Sequence, residues 1–520
     1  MSLVEISAFE LAQKVKNKEV SAVEVLDAHI DQIEKVDGVS GRLDGDNATE
    51  TGKVHSFISK TYDLARSQAE AVDKAVASGQ PTGLLAGVPV TIKDIFCLEG
   101  TYSTAASKII SNFKAPYTAT PVQRWVDQGA LVLGKVNLDE FTFGSSNESS
   151  AFKPHPRNPW NTAKVPGGSS GGSASAVASY ESPISLGTDT SGSIRLPASY
   201  CGTVGLKPTY GRVSRYGLIA FGSSLDCPGP LTRTTRDAAL ALQAMAGADP
   251  HDSTCAAVPV PNYLNELNKD VKGLKIGLSP DYFKITIYDP ATGGLVEHEL
   301  PERIKNEVYR AAELFAANGA EIVEGVSMPH TRYGIPAYFV ISRVEAASNL
   351  HRFDGVKYGH RSATHYNGLS EMYRRSRGEG FGQQPKLRIL MGMYVSAAQY
   401  SEQYYARALK IRSLIRRDFD EAYKKVDMLL TPCTPSSAFN IGGIFGDSVL
   451  MQYADQFLVS GNHAGIPGIS LPAGFDESNM PIAIQFYAPD YREDLLLRAG
   501  HTYEQITANE AWRTLKPNLN

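Results

Sequence analysis

The sequence predicts an α/β protein with a single large domain, built on a central sheet that helices cover on both faces. Two observations support this prediction. Short apolar runs alternate with stretches of helical length along most of the chain. No internal repeat, and no linker rich enough to separate domains, interrupts the 520 residues. We therefore treat 1–520 as one domain, with N-terminal helices over about 1–78, a core over about 79–505 and a tail over 506–520.

Capping boxes mark the first two helices. Ser7 is followed three residues later by Glu10, and Ser21 stands in the same relation to Glu24. A third helix is expected over residues 62–77, where no glycine or proline interrupts the run. The N-terminal region is therefore predicted to be helical.

The later elements follow from apolar runs of strand length separated by helical stretches. Buried strands are expected at residues 88–92, 131–133, 184–186, 274–279, 320–325, 427–430 and 469–471. Helices are expected at residues 121–128, 173–179 and 304–318. Residues 36–52 are rich in glycine and aspartate, so a solvated loop without an assigned function is expected there.

The composition argues against several classes of protein. With 51 basic and 55 acidic residues the formal net charge is −4, whereas a surface that grips a phosphate backbone is usually basic. The five cysteines are odd in number and form no C-x-x-C pair, which argues against disulfides and structural zinc. The N terminus is acidic and has no apolar run. We expect a cytoplasmic protein, with an organelle as the alternative, and no metal site.

The most unusual segment is PGGSSGGSASA at residues 166–176, followed by GTDTSGSIRLP at residues 187–197. Such a density of glycine is entropically costly, and it is typical of places where the backbone must approach a ligand. Four interpretations compete for this segment.

Three of them rest on weak patterns. A phosphate-binding loop would need a lysine after the glycines, and none is present. A G-x-S-x-G elbow would make Ser170 the nucleophile and would require a carboxylate and a histidine, for which His298, His351 and His463 are candidates. A flexible linker is disfavoured because the helix-forming run 174–178 follows at once.

The fourth interpretation uses two serines and a lysine. A serine that attacks an amide must pass its proton to a base as the new bond forms. Lysine can be that base if it is neutral, which requires its pKa to fall from about 10.4 by roughly three units. Lys93 directly follows the apolar run 88–92, where burial would lower its pKa.

Taken together, three segments resemble the amidase signature family. They are GVPVTIKD with Lys93, PGGSSGGSA with Ser169 and GTDTSGSIRLPASYCGTVGLKPTYGRVSR with Ser193, and the two serines stand 24 residues apart, as in that family. The similarity extends to AGIPGISLPAGF near the C terminus. It implies an α/β fold with a central mixed, twisted sheet covered by helices on both faces.

The resemblance also implies the catalytic roles. Ser193 would be the nucleophile, and Ser169 would be a bridging serine held by a cis peptide bond. Lys93 would draw the proton of Ser193 through Ser169 and deliver it to the departing ammonia. Water would then hydrolyse the acyl-enzyme.

The main-chain N–H groups of Thr190, Ser191, Gly192 and Ser193 would form the oxyanion hole of such an enzyme. The family usually has a glycine at the position of Ser191. If Ser191 had to adopt a positive φ, the backbone there would be strained.

Further segments resemble one branch of the family, the glutaminase subunits of tRNA-dependent amidotransferases. They lie at residues 106–119, 133–150, 209–218, 221–232 and 249–263. This resemblance implies a partner subunit (B) that binds misacylated tRNA and holds ATP and Mg²⁺, and a small subunit (C). The sequence leaves open whether the tRNA is Glu-tRNA(Gln) or Asp-tRNA(Asn), and whether asparagine also donates ammonia.

Three positions match the substrate pocket of that branch. Arg388, in PKLRILMG, would take the carboxylate of glutamine through a bidentate contact. Asp455, in QYADQF, would hold the amino group, and Tyr338, in PAYFVIS, would line the pocket. Leu387 replaces a basic residue that is common there.

Two other functions remain as alternatives. The first is a free-standing amidase acting on another small amide, which would not lose activity on simple amides when Arg388 is replaced by alanine. The second is a catalytically inactive scaffold, which the presence of Lys93, Ser169 and Ser193 disfavours.

Overall fold

A computed structural model describes residues 2–47, 50, 52–289 and 291–519, and this part of the chain contains sixteen α-helices and thirteen strands. The helices are α1 (Ala8–Lys16), α2 (Ala22–Val36), α3 (Tyr62–Ala77), α4 (Thr120–Asp127), α5 (Gly171–Ala178), α6 (Arg195–Cys201), α7 (Thr235–Met245), α8 (Tyr263–Glu266), α9 (Glu302–Ala317), α10 (Gly334–Leu350), α11 (Leu369–Gly380), α12 (Gln383–Ser396), α13 (Arg407–Ala422), α14 (Ser448–Gln452), α15 (Val459–Ala464) and α16 (Glu493–Ile506). The strands are β1 (Phe57–Lys60), β2 (Pro89–Lys93), β3 (Leu131–Val136), β4 (Ile184–Asp189), β5 (Val204–Lys207), β6 (Cys227–Thr232), β7 (Lys275–Gly277), β8 (Lys284–Asp289), β9 (Gly294–Glu299), β10 (Glu321–Val323), β11 (Met428–Pro432), β12 (Gly468–Phe475) and β13 (Pro481–Tyr487).

Eleven of these strands form one mixed sheet in the order β1-β3-β2-β4-β6-β5-β12-β13-β11-β7-β10, within the described residues. The strand β2 pairs in parallel with β3 and β4. The central run from β4 through β6, β5, β12 and β13 to β11 is antiparallel. The sheet is flanked by helices, which confirms the predicted α/β class.

The predicted N-terminal helices are present. In α1 and α2 the capping serines accept hydrogen bonds from the main chain of Glu10 and Glu24, and the return contacts of both boxes are formed. The third helix, α3, has the predicted bounds. These ends are specified by contacts within a few residues, so they can be recognised in the sequence.

The expected solvated loop at residues 36–52 is partly wrong. Asp37 is fully buried, and its Oδ1 accepts a hydrogen bond from the main chain of Ser56. Burial, together with the nearby carboxyl of Glu181, raises the pKa of Asp37 well above its usual value. Residues 48, 49 and 51 of this segment lie outside the described residues.

All seven predicted strands occur, but the centre of the sheet contains strands that the sequence did not indicate. The clearest is β6, which includes Pro228 and Pro230 although every residue in it is buried. Proline lacks the N–H that a ladder needs and argues against a central strand. Long-range pairing with β4 and β5 therefore overrides the local preference of this segment.

The topology brings the ends of two buried strands together. Because β2 and β4 are parallel neighbours, with Val90 opposite Ile184 and Ile92 opposite Leu186, their carboxyl ends lie at the same edge of the sheet. Lys93 ends the first strand and Asp189 the second. The loop at residues 190–193 starts at this edge.

Two features concern the surroundings of the chain. Among the described residues, no helix combines the length and the apolar character needed to cross a membrane. The same residues contain no group of three or more histidine, cysteine, aspartate or glutamate side chains placed to hold a metal ion. All five cysteines are free thiols.

Candidate active site

The side chain of Lys93 lies in the protein interior and is surrounded by hydroxyl groups. Its Nζ lies 2.7 Å from Oγ of Ser169, 2.9 Å from Oγ of Ser170 and 2.8 Å from Oγ1 of Thr188. Because burial disfavours the charged amine, the pKa of Lys93 is lowered to about 7. The neutral amine that a lysine base requires is therefore accessible near neutral pH.

The hydrogen bonds around Lys93 restrict the direction of each contact. The Ser170 hydroxyl donates to the main-chain carbonyl of Thr188 at 3.1 Å, so Ser170 must accept from Lys93. A neutral amine has two N–H donors and one lone pair. One of the two remaining hydroxyls, on Ser169 or on the Thr188 side chain, can therefore donate to that lone pair.

Ser169 stands at the turn that leads into α5. The Gly168–Ser169 peptide bond is cis, as the resemblance implied. A side chain at Gly168 would not fit, since a Cβ there would lie 2.1 Å from Oδ2 of Asp139. The Ser169 carbonyl accepts a hydrogen bond of 3.3 Å from the main chain of Asp139. The bridging serine is thus fixed from both sides.

The loop at residues 190–193 joins β4 to α6 and contains Ser193. Its two ends are tied together by a buried ion pair, in which Nε and Nη2 of Arg195 donate to the two oxygens of Asp189 at 2.9 and 3.0 Å. The Ser193 carbonyl accepts from the main chain of Ser170 at 3.2 Å. The nucleophile loop and the serine-rich loop therefore lie side by side.

The main-chain N–H groups of Ser191, Gly192 and Ser193 have no acceptor among the described residues, so they are free to bind a developing oxyanion. A Cβ at Gly192 would lie 2.6 Å from Leu458 and 2.7 Å from Oδ1 of Asp455. Ser191 is not among the non-glycine residues with positive φ. The strain considered for Ser191 is therefore absent.

Thr190, the fourth expected member of the oxyanion loop, is held through its side chain. Its hydroxyl donates to Oδ1 of Asp226 at 3.0 Å. The same carboxyl accepts from the main chain of Phe221 and Gly222. Burial raises the pKa of Asp226 to about 6.

Asp455 is fully buried next to the nucleophile loop. Its Oδ2 accepts from the hydroxyls of Ser191 and Ser145 at 2.9 and 3.0 Å and from the amide of Gln452 at 2.7 Å. Its Oδ1 has no hydrogen-bond partner among the described residues. Burial raises the pKa of Asp455 to about 7 although these donors favour the carboxylate. One oxygen is therefore left to accept from a ligand.

Arg388 shows the opposite pattern. It is 4 % exposed, and its Nε and Nη1 donate to no group in the described part of the chain. Its guanidinium lies 4.9 Å from the ring centre of Phe143. Burial lowers the pKa of Arg388, while Tyr338, Asp139 and Asp455 act in the opposite direction. The cation is therefore buried close to these acidic groups without being paired to them.

Tyr338 connects these residues. It is 2 % exposed, and burial raises the pKa of its phenol to about 12, against the charges of Arg388 and Arg343 and a contact with Ser191. Its ring packs edge-on against Phe221 at 6.5 Å. All three predicted substrate residues thus lie close to the nucleophile loop.

Several residues of the site were missed in the sequence. They are Ser145, Ser170, Thr188, Asp226, Arg343 and Gln452, together with Asp139, which influences both Lys93 and Arg388. Asp139 and Ser145 fall within LGKVNLDEFTFGSSNESS, a segment already singled out for its resemblance. The other residues carry no local pattern that sequence reasoning could use.

The elbow interpretation does not fit the structure. Ser170 contacts Lys93 and Thr188, and in the described residues none of the candidate histidines bonds to it. His463 is buried with its ring nitrogen 2.9 Å from the carbonyl of Gly334. His351 contacts only the carbonyl of Ser348.

Comparison with known proteins gives an independent result. The family model described as Amidase matches residues 46–497, a range that includes Lys93, Ser169 and Ser193. A relative from Carboxydothermus hydrogenoformans is 47 % identical over 507 residues, covering 98 % of each chain. It is named as one of the subunits of glutamyl-tRNA(Gln) amidotransferase, the one lettered A.

Solved structures agree. The same-lettered component of glutamyl-tRNA(Gln) amidotransferase from Thermotoga maritima is 32 % identical and matches with a TM-score of 0.76 over 100 % of this chain and 99 % of its own. The 6-aminohexanoate cyclic dimer hydrolase, 25 % identical, matches with a TM-score of 0.79 over 100 % and 99 %. The same fold therefore occurs with different named substrates, so the substrate must be argued from the pocket.

Proposed function

Because the chain belongs to the amidase family, we propose that it hydrolyses glutamine to glutamate and ammonia as the glutaminase subunit of a tRNA-dependent amidotransferase. The observation on which the proposal rests is a pair of complementary unpartnered groups. Buried N–H donors of Arg388 and the buried Oδ1 of Asp455 lie near the same loop. Leaving such groups without partners is costly, so the site is suited to a ligand that supplies them.

Free glutamine supplies both partners. Its carboxylate would accept from Arg388, and its ammonium would donate to Asp455. The amide would then extend towards Ser193. Tyr338, between the two charged residues and Ser191, would line the wall of the pocket.

In the first chemical half, the Ser193 hydroxyl attacks the amide carbon of glutamine. Its proton passes to Ser169 as the proton of Ser169 passes to the neutral amine of Lys93. The carbonyl oxygen becomes an oxyanion held by the free N–H groups of the loop, which stabilise charge only as it develops. The 2.7 Å contact between Lys93 and Ser169 supports this relay.

In the second half, the tetrahedral intermediate collapses and the C–N bond breaks. The proton on Lys93 returns through Ser169 to the departing nitrogen, so ammonia leaves as a neutral molecule. A water then attacks the ester of Ser193 with the same base. This releases glutamate and restores the hydroxyl of Ser193.

The ammonia would be used by other subunits. A partner subunit (B) would bind misacylated Glu-tRNA(Gln) or Asp-tRNA(Asn) and activate its carboxylate with ATP and Mg²⁺, and a small subunit (C) would complete the assembly. The relatives are named as subunits of such an amidotransferase, which supports a multi-subunit complex. We place this complex in the cytoplasm.

The alternative is a free-standing amidase for another small amide. An ammonia-release assay on glutamine, with wild type, Ser193→Ala, Ser169→Ala and Lys93→Ala, separates the two. We expect turnover by wild type and severe loss in all three variants. A wild-type protein that hydrolyses simple amides but not glutamine, and that recovers no partner subunits in a pull-down, would favour the alternative.

A further inference from the structure

A second arginine, Arg343, is buried next to Arg388. It lies on α10, whereas Arg388 lies on α12. Arg343 is 2 % exposed, and its Nε has no hydrogen-bond partner among the described residues. Its Nη1 donates to the hydroxyl of Ser342 at 2.9 Å, and its guanidinium lies 3.7 Å from the ring centre of Phe339.

Two close-packed helices hold the arginines near each other. Gly392 on α12 lies against α10, and a Cβ there would be 2.1 Å from the carbonyl oxygen of Arg343. Only a glycine therefore allows this approach. The guanidinium of Arg343 also lies 5.8 Å from the ring centre of Tyr338, the residue already placed in the substrate pocket.

No carboxylate in the described part of the chain balances Arg343. The groups that act on its titration are Arg388, which disfavours its charge, and the phenol of Tyr338. Two unpaired cations buried side by side repel each other and have lost their hydration. An arrangement of this kind is stabilised when an anion binds between them, since each guanidinium has free donors in a planar fork.

We infer that Arg343 is a second specificity-determining residue of the pocket, which acts with Arg388 on the carboxylate of the substrate. The site would then select amides that carry a carboxylate at the end remote from the scissile bond. This inference rests on the proposed function, because it identifies the end of glutamine that the two arginines recognise.

The test compares glutamine with 4-aminobutanamide, which keeps the amide and the amino group but lacks the carboxylate. In wild type, kcat/KM should favour glutamine by about 100-fold or more. Arg343→Met should lower kcat/KM for glutamine by about 10- to 100-fold, mainly through KM, and change that for 4-aminobutanamide by less than about threefold. Arg343→Lys should recover part of the loss.

Arg332→Met serves as the matched control, because Arg332 is half-exposed and pairs with Glu297 at 3.5 Å. It should leave both substrates unaffected. Thermal denaturation checks folding, and Arg343→Met should be as stable as wild type or more so, because an unpaired buried cation has been removed. An equal loss on both substrates would mean that Arg343 acts only on the structure, and would overturn the inference.

Binding of glutamate to the Ser193→Ala protein, measured by calorimetry, tests the same residue without turnover. Adding Arg343→Met should weaken the Kd at least about tenfold. Glutamate binding that depends on Arg343 in a protein that does not hydrolyse glutamine would refute the proposed function and uphold the arginine's role. Binding unaffected by Arg343→Met would refute that role.

Discussion

Ser191 Oγ donates a hydrogen bond of 2.9 Å to Oδ2 of Asp455, and this contact joins the proposed nucleophile loop to the proposed ammonium site. The family usually has a glycine at the position of Ser191, so its hydroxyl is an added donor to the carboxylate. Hydrogen bonds to a carboxylate favour its charged form. The side chain at this position therefore influences the charge of Asp455.

Replacing Ser191 with alanine should raise the pKa of Asp455 above its value of about 7. At pH 7 a smaller fraction of Asp455 would then be ionised, so KM for glutamine should rise several-fold. Steady-state kinetics between pH 6 and 9 measure the change. Ser199→Ala, which alters a buried serine bonded to Thr434, is the control and should leave KM unchanged. The prediction fails if the two variants behave alike.

The pH dependence should differ between substrates. Lys93 must be neutral to act as a base and Asp455 must be ionised to bind an ammonium, and both pKa values are about 7. For glutamine, kcat/KM should therefore fall below pH 7 with a slope approaching about two log units per pH unit. A small amide without an amino group needs only Lys93, so its slope should approach about one. Equal slopes would show that Asp455 does not bind the amino group.

Lys93→Met should reduce ammonia release by about 10²- to 10⁴-fold, the usual contribution of a general base. Lys207 offers a matched control, since it is equally buried, has a lowered pKa and donates to the carbonyl of Pro208 instead of to serines. If Lys207→Met folds, it should keep near-normal turnover. A similar loss in both variants would argue against a specific role for Lys93.

The same variant makes a prediction about stability. Because the folded-state pKa of Lys93 is lowered to about 7, the unfolded chain binds more protons between about pH 7 and 10.4. The cost of burying the charged amine is therefore fully present below pH 7 and decreases as pH rises. Lys93→Met should raise Tm more at pH 6 than at pH 9. A gain that does not depend on pH would mean that the amine is not desolvated.

The nucleophile is identified by three alanine variants. Ser193→Ala should lower kcat by about 10⁴-fold or more, because no acyl-enzyme can form. Ser169→Ala should cost about 10²- to 10⁴-fold through the relay, and Ser170→Ala on the order of tenfold through the position of Lys93. Hydroxylamine trapping of the glutamyl ester checks the assignment. An ester that still forms in Ser193→Ala but not in Ser170→Ala would favour the elbow interpretation.

The substrate pocket is tested by removing one charge at a time. Arg388→Ala should raise KM for glutamine by about 10²-fold or more, since a charged hydrogen-bonded pair contributes about 2–5 kcal/mol. Asp455→Asn should have a smaller effect of the same kind, because Oδ1 still accepts a hydrogen bond. Acetamide, which carries neither charge, should be hydrolysed at similar rates by wild type and both variants. A parallel loss on acetamide would indicate a misfolded pocket.

Sequence motifs were sufficient for the parts of the protein that depend on local contacts or on a fixed set of chemical groups. The capping boxes of α1 and α2 are present because each involves four adjacent residues. The segments containing Lys93, Ser169 and Ser193 indicated the family before any geometry was available. The proposed roles of these residues, and the subdivision of the chain near residues 78 and 505, stay predictions.

Only the tertiary structure decided which groups are buried together. It placed the proline-containing β6 at the centre of the sheet, and it set Arg343 beside Arg388 through the contact of two helices. A low pKa for Lys93, an open oxygen on Asp455 and an unpaired guanidinium on Arg343 all result from desolvation by distant segments. Desolvation depends on every neighbour in space, so no short pattern along the chain can encode it.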